Sequence, residues 1–194
     1  MLEIYTDGSS TKTRSGWGFV VVGDNKQLYT AAGEERGATN QRMELRAALE
    51  ALKWWEKGPP AAYPDVDPEV TIYSDSAYFC NCYFDKWWIN WENNGWVNSK
   101  KEPVANQDLW KELVIYFKNP YVHIAKVKGH SGHTYNELAD KLATGVKLRD
   151  EQLTINEKDD KINIELSEIL LDYSMRKYPV DETIKRIRKV CNCE

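Results

Sequence analysis

The sequence predicts an α/β fold: a mixed five-stranded sheet, three antiparallel strands then two parallel ones, flanked by helices and followed by a short helical C-terminal extension. Three observations predict it. Residues 2–34 form apolar runs separated by turn residues, the pattern of an antiparallel meander. From residue 40 onward helical and strand-like runs alternate, which places the later strands parallel with helices on the faces. The 194 residues are 42% hydrophobic and 29% charged, enough apolar side chain for a packed core in a water-facing domain.

The elements follow in order. LEIYTD (2–7) alternates and predicts a strand ending at an acid, and DGSSTKTRSG (7–16) reads as a turn. WGFVVVG (17–23) and QLYTAAGE (27–34) predict a hairpin joined across DNK. NQRMELRAALEALKWWEK (40–57) consists largely of good helix formers, and GPPAAYPDVDP (58–68) is a breaker-rich loop. EVTIYSD (69–75) predicts a second strand ending at an acid. A helix follows from Ser76, and helical character continues through 85–94. After the loop GWVNSKKEPVANQ come a helix, DLWKELVIYFK, and a strand, YVHIAKV (121–127). Residues 134–148 predict a helix opening with capping-box spacing, Thr134-x-x-Glu137.

Beyond Lys147 the character changes. LRDEQLTINEKDDK (148–161) is polar and reads as a linker. Leu166, Ile169, Leu170 and Tyr173 recur at helical spacing, as do Val180, Ile184, Ile187 and Val190 after Pro179. The second of these segments begins acidic and ends in Lys185, Arg186, Arg188 and Lys189, the order a helix dipole favours.

Composition narrows the function classes. No run reaches the roughly eighteen apolar residues of a membrane helix, so no membrane association is expected. MLEIYTDGSS has neither the basic nor the apolar region of a signal peptide, so the cytoplasm is the expected location. The net charge is −4, and residues 1–148 carry 17 Lys and Arg against 19 Asp and Glu. If several of those acids hold cations, the remaining surface is mildly basic, but the same balance suits an ordinary acidic enzyme. Cys80/Cys82 and Cys191/Cys193 each form a Cys-Asn-Cys triplet, unlike the two-residue spacing of zinc sites, and are expected to be free thiols.

Four carboxylates stand out. Asp7 and Asp75 each end a predicted strand, where α/β sheets build their sites. Either acid also suits a bland role, Asp7 as a turn starter and Asp75 as a helix N-cap. Glu44, Ala48, Ala51 and Trp55 form one helical stripe whose alanines permit close approach to a sheet. A carboxylate on that stripe is costly unless it is compensated or reaches water at the rim. Asp140 is flanked by Leu138, Ala139, Leu142 and Ala143, and would otherwise be a solvated helix acid. Converging carboxylates raise one another's pKa, and hard divalent cations relieve the repulsion.

YTDGSS, TNQRMEL, YSDSAY and KGHSGHTYNELAD, in this order and spacing, resemble the four acid-bearing motifs of type 1 ribonuclease H over about residues 1–147. The resemblance implies a ribonuclease H-like fold and an endoribonuclease that hydrolyses the RNA strand of an RNA–DNA hybrid with two Mg²⁺ or Mn²⁺ ions, leaving 5′-phosphate products. Asp7 would bridge both ions. Asp140 would serve the ion that activates water, and Glu44 and Asp75 the ion at the leaving 3′ oxygen. His130, ten residues before Asp140, would assist proton transfer or product release from a loop that Gly129 and Gly132 make mobile. His133 would orient that loop.

The resemblance also implies substrate contacts. Thr39, Asn40 and Gln41 would meet the minor groove and its 2′-hydroxyls. Asn136 would lie near the scissile phosphate, and Thr39 and Asn106 would form a pocket for a DNA-strand phosphate. Tyr78 and Trp87 would line the DNA channel. KWWINWENNGWVN (86–98) resembles the family's substrate-binding handle, although Trp88, Trp91 and Trp96 serve equally as packing residues. This handle is less basic than many, with Lys86, Lys100 and Lys101 against Asp85, Glu92 and Glu102. Gly37, with Arg36 beside it, stands where many members have arginine, and Thr13 where some have asparagine.

The expected organisation is a catalytic domain at 1–148, a linker at 149–161 and a helical extension at 162–194. The extension is expected to pack on the domain, to dimerise or to contact a partner. Two other functions stay open at this point: a hybrid-binding domain that works within a replication or reverse-transcription assembly, and a binding protein that has lost catalysis.

Overall fold

The computed structural model describes residues 2–23, 26–58, 69–129, 133–145 and 180–191. The chain divides into two units, Met1–Leu148 and Arg149–Glu194. The first holds β1 (Leu2–Ser10), β2 (Ser15–Gly23), β3 (Lys26–Glu34), α1 (Asn40–Glu56), β4 (Val70–Ser74), α2 (Ala77–Phe84), α3 (Trp87–Asn93), α4 (Gln107–Phe117), β5 (Val122–Lys126) and α5 (Thr134–Thr144). That is the element order the sequence predicts. The second holds α6 (Val180–Cys191), the later of the two amphipathic segments. The 166–173 segment and the linker lie outside the described residues, as does most of the 58–68 loop.

The five strands lie in the order β3-β2-β1-β4-β5. β1 pairs antiparallel with β2, and β2 with β3. β4 runs parallel to both β1 and β5. On one face Leu2, Ile4, Phe19, Val21, Val70, Ile72, Val122 and Ile124 form a core with Leu45, Ala48, Leu49 and Leu52 of α1 and with α2 and α4. On the other, α5 packs over β1 and β2. Among the described residues no helix is long and apolar enough to cross a membrane.

Three boundaries differ from expectation. β1 does not end at Asp7: it stays paired with β2 to Ser10↔Ser15, and the turn shrinks to residues 11–14, closed by Thr11 N–H to the Arg14 carbonyl at 2.7 Å. The glycines and serines that read as a turn permit close packing of helices on this ribbon instead. The helical run after Ser76 is broken at Lys86, whose φ of 53° ends α2 and restarts the chain as α3. The N-cap of α5 is His133, with no side-chain cap, so Thr134 is the first helical residue and no capping box forms.

Candidate active site

The last parallel pair between β1 and β4 is Thr6↔Ser74. Asp7 and Asp75 are therefore the next residues on two neighbouring strands. Past this point β1 is paired only on its β2 side. The opening lies where the sheet changes from antiparallel to parallel pairing, outside the ends of two strands, the usual place for a site in such sheets.

Close approach brings in the other two acids. A Cβ on Gly8 would collide with the α1 backbone at Met43 and Glu44, so glycine lets α1 sit against β1 and delivers Glu44 to its rim. Asp7 pairs directly with Gly18, and a Cβ on Gly18 would fall 2.9 Å from the Ala139 carbonyl oxygen. α5 thus lies on the sheet beside Asp7, with Ala139 and Ala143 fully buried and Asp140 next to them, half-buried. A Cβ on Gly129 would fall 2.5 Å from Asp75 Oδ2. Gly129 therefore packs closely on Asp75, and residues 130–132 of the loop that follows lie outside the described residues.

The four carboxylates act on one another. Asp7 is pushed up to about 7, first by burial and then by the Asp75 charge, with Asp140 and Glu44 adding to the effect. The Gly8 N–H, donating to Asp7 Oδ1 at 2.6 Å, opposes the shift. Burial and Asp75 also raise Glu44, against hydrogen bonds from Ser76 Oγ to Oε2 and from Asn40 Nδ2 to Oε1 at 2.7 Å. Ser76 is the N-cap of α2, accepting from the Phe79 N–H, so the capping role open to Asp75 is taken and the Asp75 carboxylate is left to the site.

No three carboxylate, imidazole or thiol groups stand ready to enclose a metal ion among the described residues. Uncompensated acids repel, and here Glu44 is held by Ser76 and Asn40 while Asp7 is held by Gly8. The donor set is still all oxygen on four neighbouring acids, which in kind fits hard divalent cations. Cys80 and Cys82 are buried free thiols, pushed by burial up to about 11 and about 12, and play no part. The Cys191 side chain and Cys193 lie outside the described residues.

The residues expected to touch substrate fall into distinct groups. Thr39 caps α1, its Oγ1 accepting from Arg42 N–H at 3.2 Å, and Asn106 precedes α4 with a left-handed φ of 57°. The two helix starts are tied by a bond the sequence did not reveal: Arg42 grips Asp108 with both terminal nitrogens, at 2.9 and 2.7 Å. Asn40 is exposed, its amide accepting from Ser10 N–H at 3.1 Å and donating to Glu44. Gln41 is exposed. Tyr78 accepts from Trp110 Nε1–H at 2.9 Å. Trp87, Trp88, Trp91 and Trp96 are half-buried and pack against the core. Asn136 is 3% exposed, and its Oδ1 has no hydrogen-bond partner among the described residues. His130 and Gly132 lie outside the described residues.

The RNase H family profile matches residues 1–147. The chain is 49% identical over 142 residues to a ribonuclease H of Syntrophomonas wolfei, covering 72% of this chain and 91% of that one. It is 43% identical over 148 residues to a ribonuclease H of Thermoanaerobacter sp., covering 74% and 88%. Among solved structures it is similar to LC9-RNase H1, a type 1 RNase H with the type 2 active-site motif, at TM-score 0.58 and 26% identity over 74% of this chain and 70% of that one. It is also similar to a foamy viral protease-reverse transcriptase in complex with RNA/DNA hybrid, at TM-score 0.60 and 26% identity over 74% of this chain; it spans 19% of that longer protein.

Proposed function

The chain belongs to the RNase H family, and from that membership we propose that it is an endoribonuclease hydrolysing the RNA strand of RNA–DNA hybrids at the Asp7, Glu44, Asp75 and Asp140 site. The observation that carries the site is the register. Asp7 and Asp75 leave adjacent strands side by side, and the Asp7 carboxylate feels all three other acids.

Asp7 would be shared by two divalent cations, Mg²⁺ or Mn²⁺, with Asp140 holding one and Glu44 and Asp75 the other. Such a pair polarises the phosphate, eases ionisation of the attacking water and stabilises the leaving oxygen. The chain supplies the rest. Gly8 fixes one Asp7 oxygen. Ser76 and Asn40 aim Glu44 from two sides. Water adds to phosphorus as the P–O3′ bond breaks, leaving a 5′-phosphate and a 3′-hydroxyl, and His130 would assist proton transfer or product release. Thr39 and Asn106 take a DNA-strand phosphate, with Arg42–Asp108 setting their separation. Asn40 and Gln41 face the 2′-hydroxyls, and Asn136 supports the scissile phosphate. Tyr78 and Trp87 line the channel.

Residues 1–148 would be the catalytic domain and 162–194 an extension, joined by the 149–161 linker, that packs, dimerises or meets a partner. The cytoplasm is the proposed location. Cleavage of a labelled hybrid beside single-stranded RNA, duplex RNA and the Asp7→Asn variant tests the reading. Cutting of the hybrid alone, abolished in the variant, is the expected result. Binding without cutting by the wild type would make this a non-catalytic hybrid binder.

A further inference from the structure

Glu3, Tyr5 and Asp7 alternate onto the face of β1 that α5 covers. Tyr5 is paired in register with Tyr73, which stands two residues before Asp75 as Tyr5 stands two before Asp7. A tyrosine pair therefore lies directly beneath the two strand-borne acids. The rings stack at 4.7 Å and 10°, and both hydroxyls donate to Glu3, Tyr5 to Oε2 at 3.1 Å and Tyr73 to Oε1 at 3.2 Å.

The same pair reaches α5. The Tyr5 ring is 4.7 Å from the His133 ring and 5.5 Å from that of Tyr135, and Tyr5 Oη lies 3.4 Å from His133 Nε2. The Tyr5 hydroxyl has one proton and gives it to Glu3. The bond to His133 must then come from the imidazole, with Nε2–H donating to Oη. His133 is the N-cap of α5 and has no side-chain cap bond of its own. At the other end of α5, Arg14 donates to the Ala143 carbonyl at 2.6 Å. Asp140 lies between these two attachments.

We propose that Glu3, Tyr5 and Tyr73 are positioning residues for Asp140: a chain of hydrogen bonds from His133 through the Tyr5 hydroxyl to Glu3 anchors the start of α5 on the sheet and so sets the Asp140 carboxylate against Asp7. The inference rests on the ribonuclease reading of the site. A displacement near 1 Å of a catalytic group can cost on the order of a hundredfold in rate, so an anchor of this kind acts on turnover more than on hybrid affinity.

The test uses the full-length chain with Tyr5→Phe, His133→Ala, their double variant and His133→Gln. Phenylalanine keeps the ring stack and removes only the hydroxyl, while the glutamine amide restores a donor at similar reach. Steady-state cleavage is expected to show kcat lowered roughly tenfold in each single variant with KM within about twofold. The double variant should be no worse than the poorer single one, because both remove the same link. His133→Gln should recover most of the deficit. Mn²⁺ affinity by calorimetry, without substrate, should weaken in both single variants. Effects that multiply in the double variant, a kcat unchanged by Tyr5→Phe, unaltered Mn²⁺ affinity, or a glutamine variant as poor as alanine would each overturn the anchor. A wild type that cuts no hybrid would instead overturn the ribonuclease reading, so the two failures are distinct.

Discussion

Gly129 packs so tightly on Asp75 that a methyl group on its Cα would lie 2.5 Å from the carboxylate oxygen Oδ2. Gly129→Ala must therefore move Asp75 or push the chain after β5 away from it. The expected result is a fall in kcat of roughly tenfold or more, with a higher Mg²⁺ requirement and little change in hybrid KM. Steady-state kinetics across a metal titration measures all three. If the chain tolerates alanine with normal turnover, the approach is not required for the chemistry.

Asp7 makes a prediction about pH. Its carboxyl is raised to about 7 in the fold, against about 3.9 in an unfolded chain. Between those values the folded state holds a proton that the unfolded state has released, so the metal-free protein loses stability as pH rises from about 4 to 7 and stays weakened above that. Asp7→Asn removes the penalty. In chelator the variant should melt several degrees above wild type at pH 8, a gain on the order of 2 kcal/mol, with no gain near pH 4. Mg²⁺ should raise the wild-type midpoint at pH 8 and barely move the variant. Equal melting curves at pH 8 would show that the acids do not strain the metal-free fold.

Ser76 serves two neighbours with one hydroxyl, accepting from the Phe79 N–H and donating to Glu44. Ser76→Ala should cost about 1 kcal/mol of stability through the missing cap and also lower kcat through a misplaced Glu44. Ser76→Thr keeps both bonds in principle and should retain most activity. Thermal melts with kinetics on the same preparations separate the two effects. A variant with lower stability but full turnover would confine Ser76 to capping.

α6 carries Lys185, Arg186, Arg188 and Lys189 on a strongly amphipathic helix. We expect removal of residues 149–194 to leave the salt dependence of hybrid binding unchanged, as a packing or pairing role requires. The measurement is affinity at several salt concentrations for the chain with and without the extension. Every phosphate that the extension neutralises would steepen the logarithmic slope of the full chain by about 0.9. A flatter slope after truncation would therefore assign α6 to the nucleic acid.

Much of the fold was legible in the sequence because its signals are local. Apolar period and breakers placed the meander, the Glu44 helix and the alternation that follows, and the register of four motifs pointed to the acids. The Glu44–Ala48–Ala51 stripe even carried its own packing consequence, since Ala48 and Ala51 are fully buried. Signals with two local readings failed. Gly8, Ser9 and Ser10 resembled a turn yet continue β1, and Thr134-x-x-Glu137 resembled a cap one residue late.

The sequence by itself determined the order of elements, the family and the four candidate acids, because these depend on residue type and spacing along the chain. The tertiary structure decided which partner each side chain meets. Only pairing of β1 with β4 sets Tyr5 on Tyr73 and Asp7 beside Asp75. Only packing of α5 on Gly18 brings Asp140 to Asp7, and only the crossing of α1 and α4 closes Arg42 on Asp108. These contacts join residues up to 133 positions apart, as with Asp7 and Asp140. They exist because strand register turns alternate side chains to one face and close packing leaves each of them a small set of neighbours.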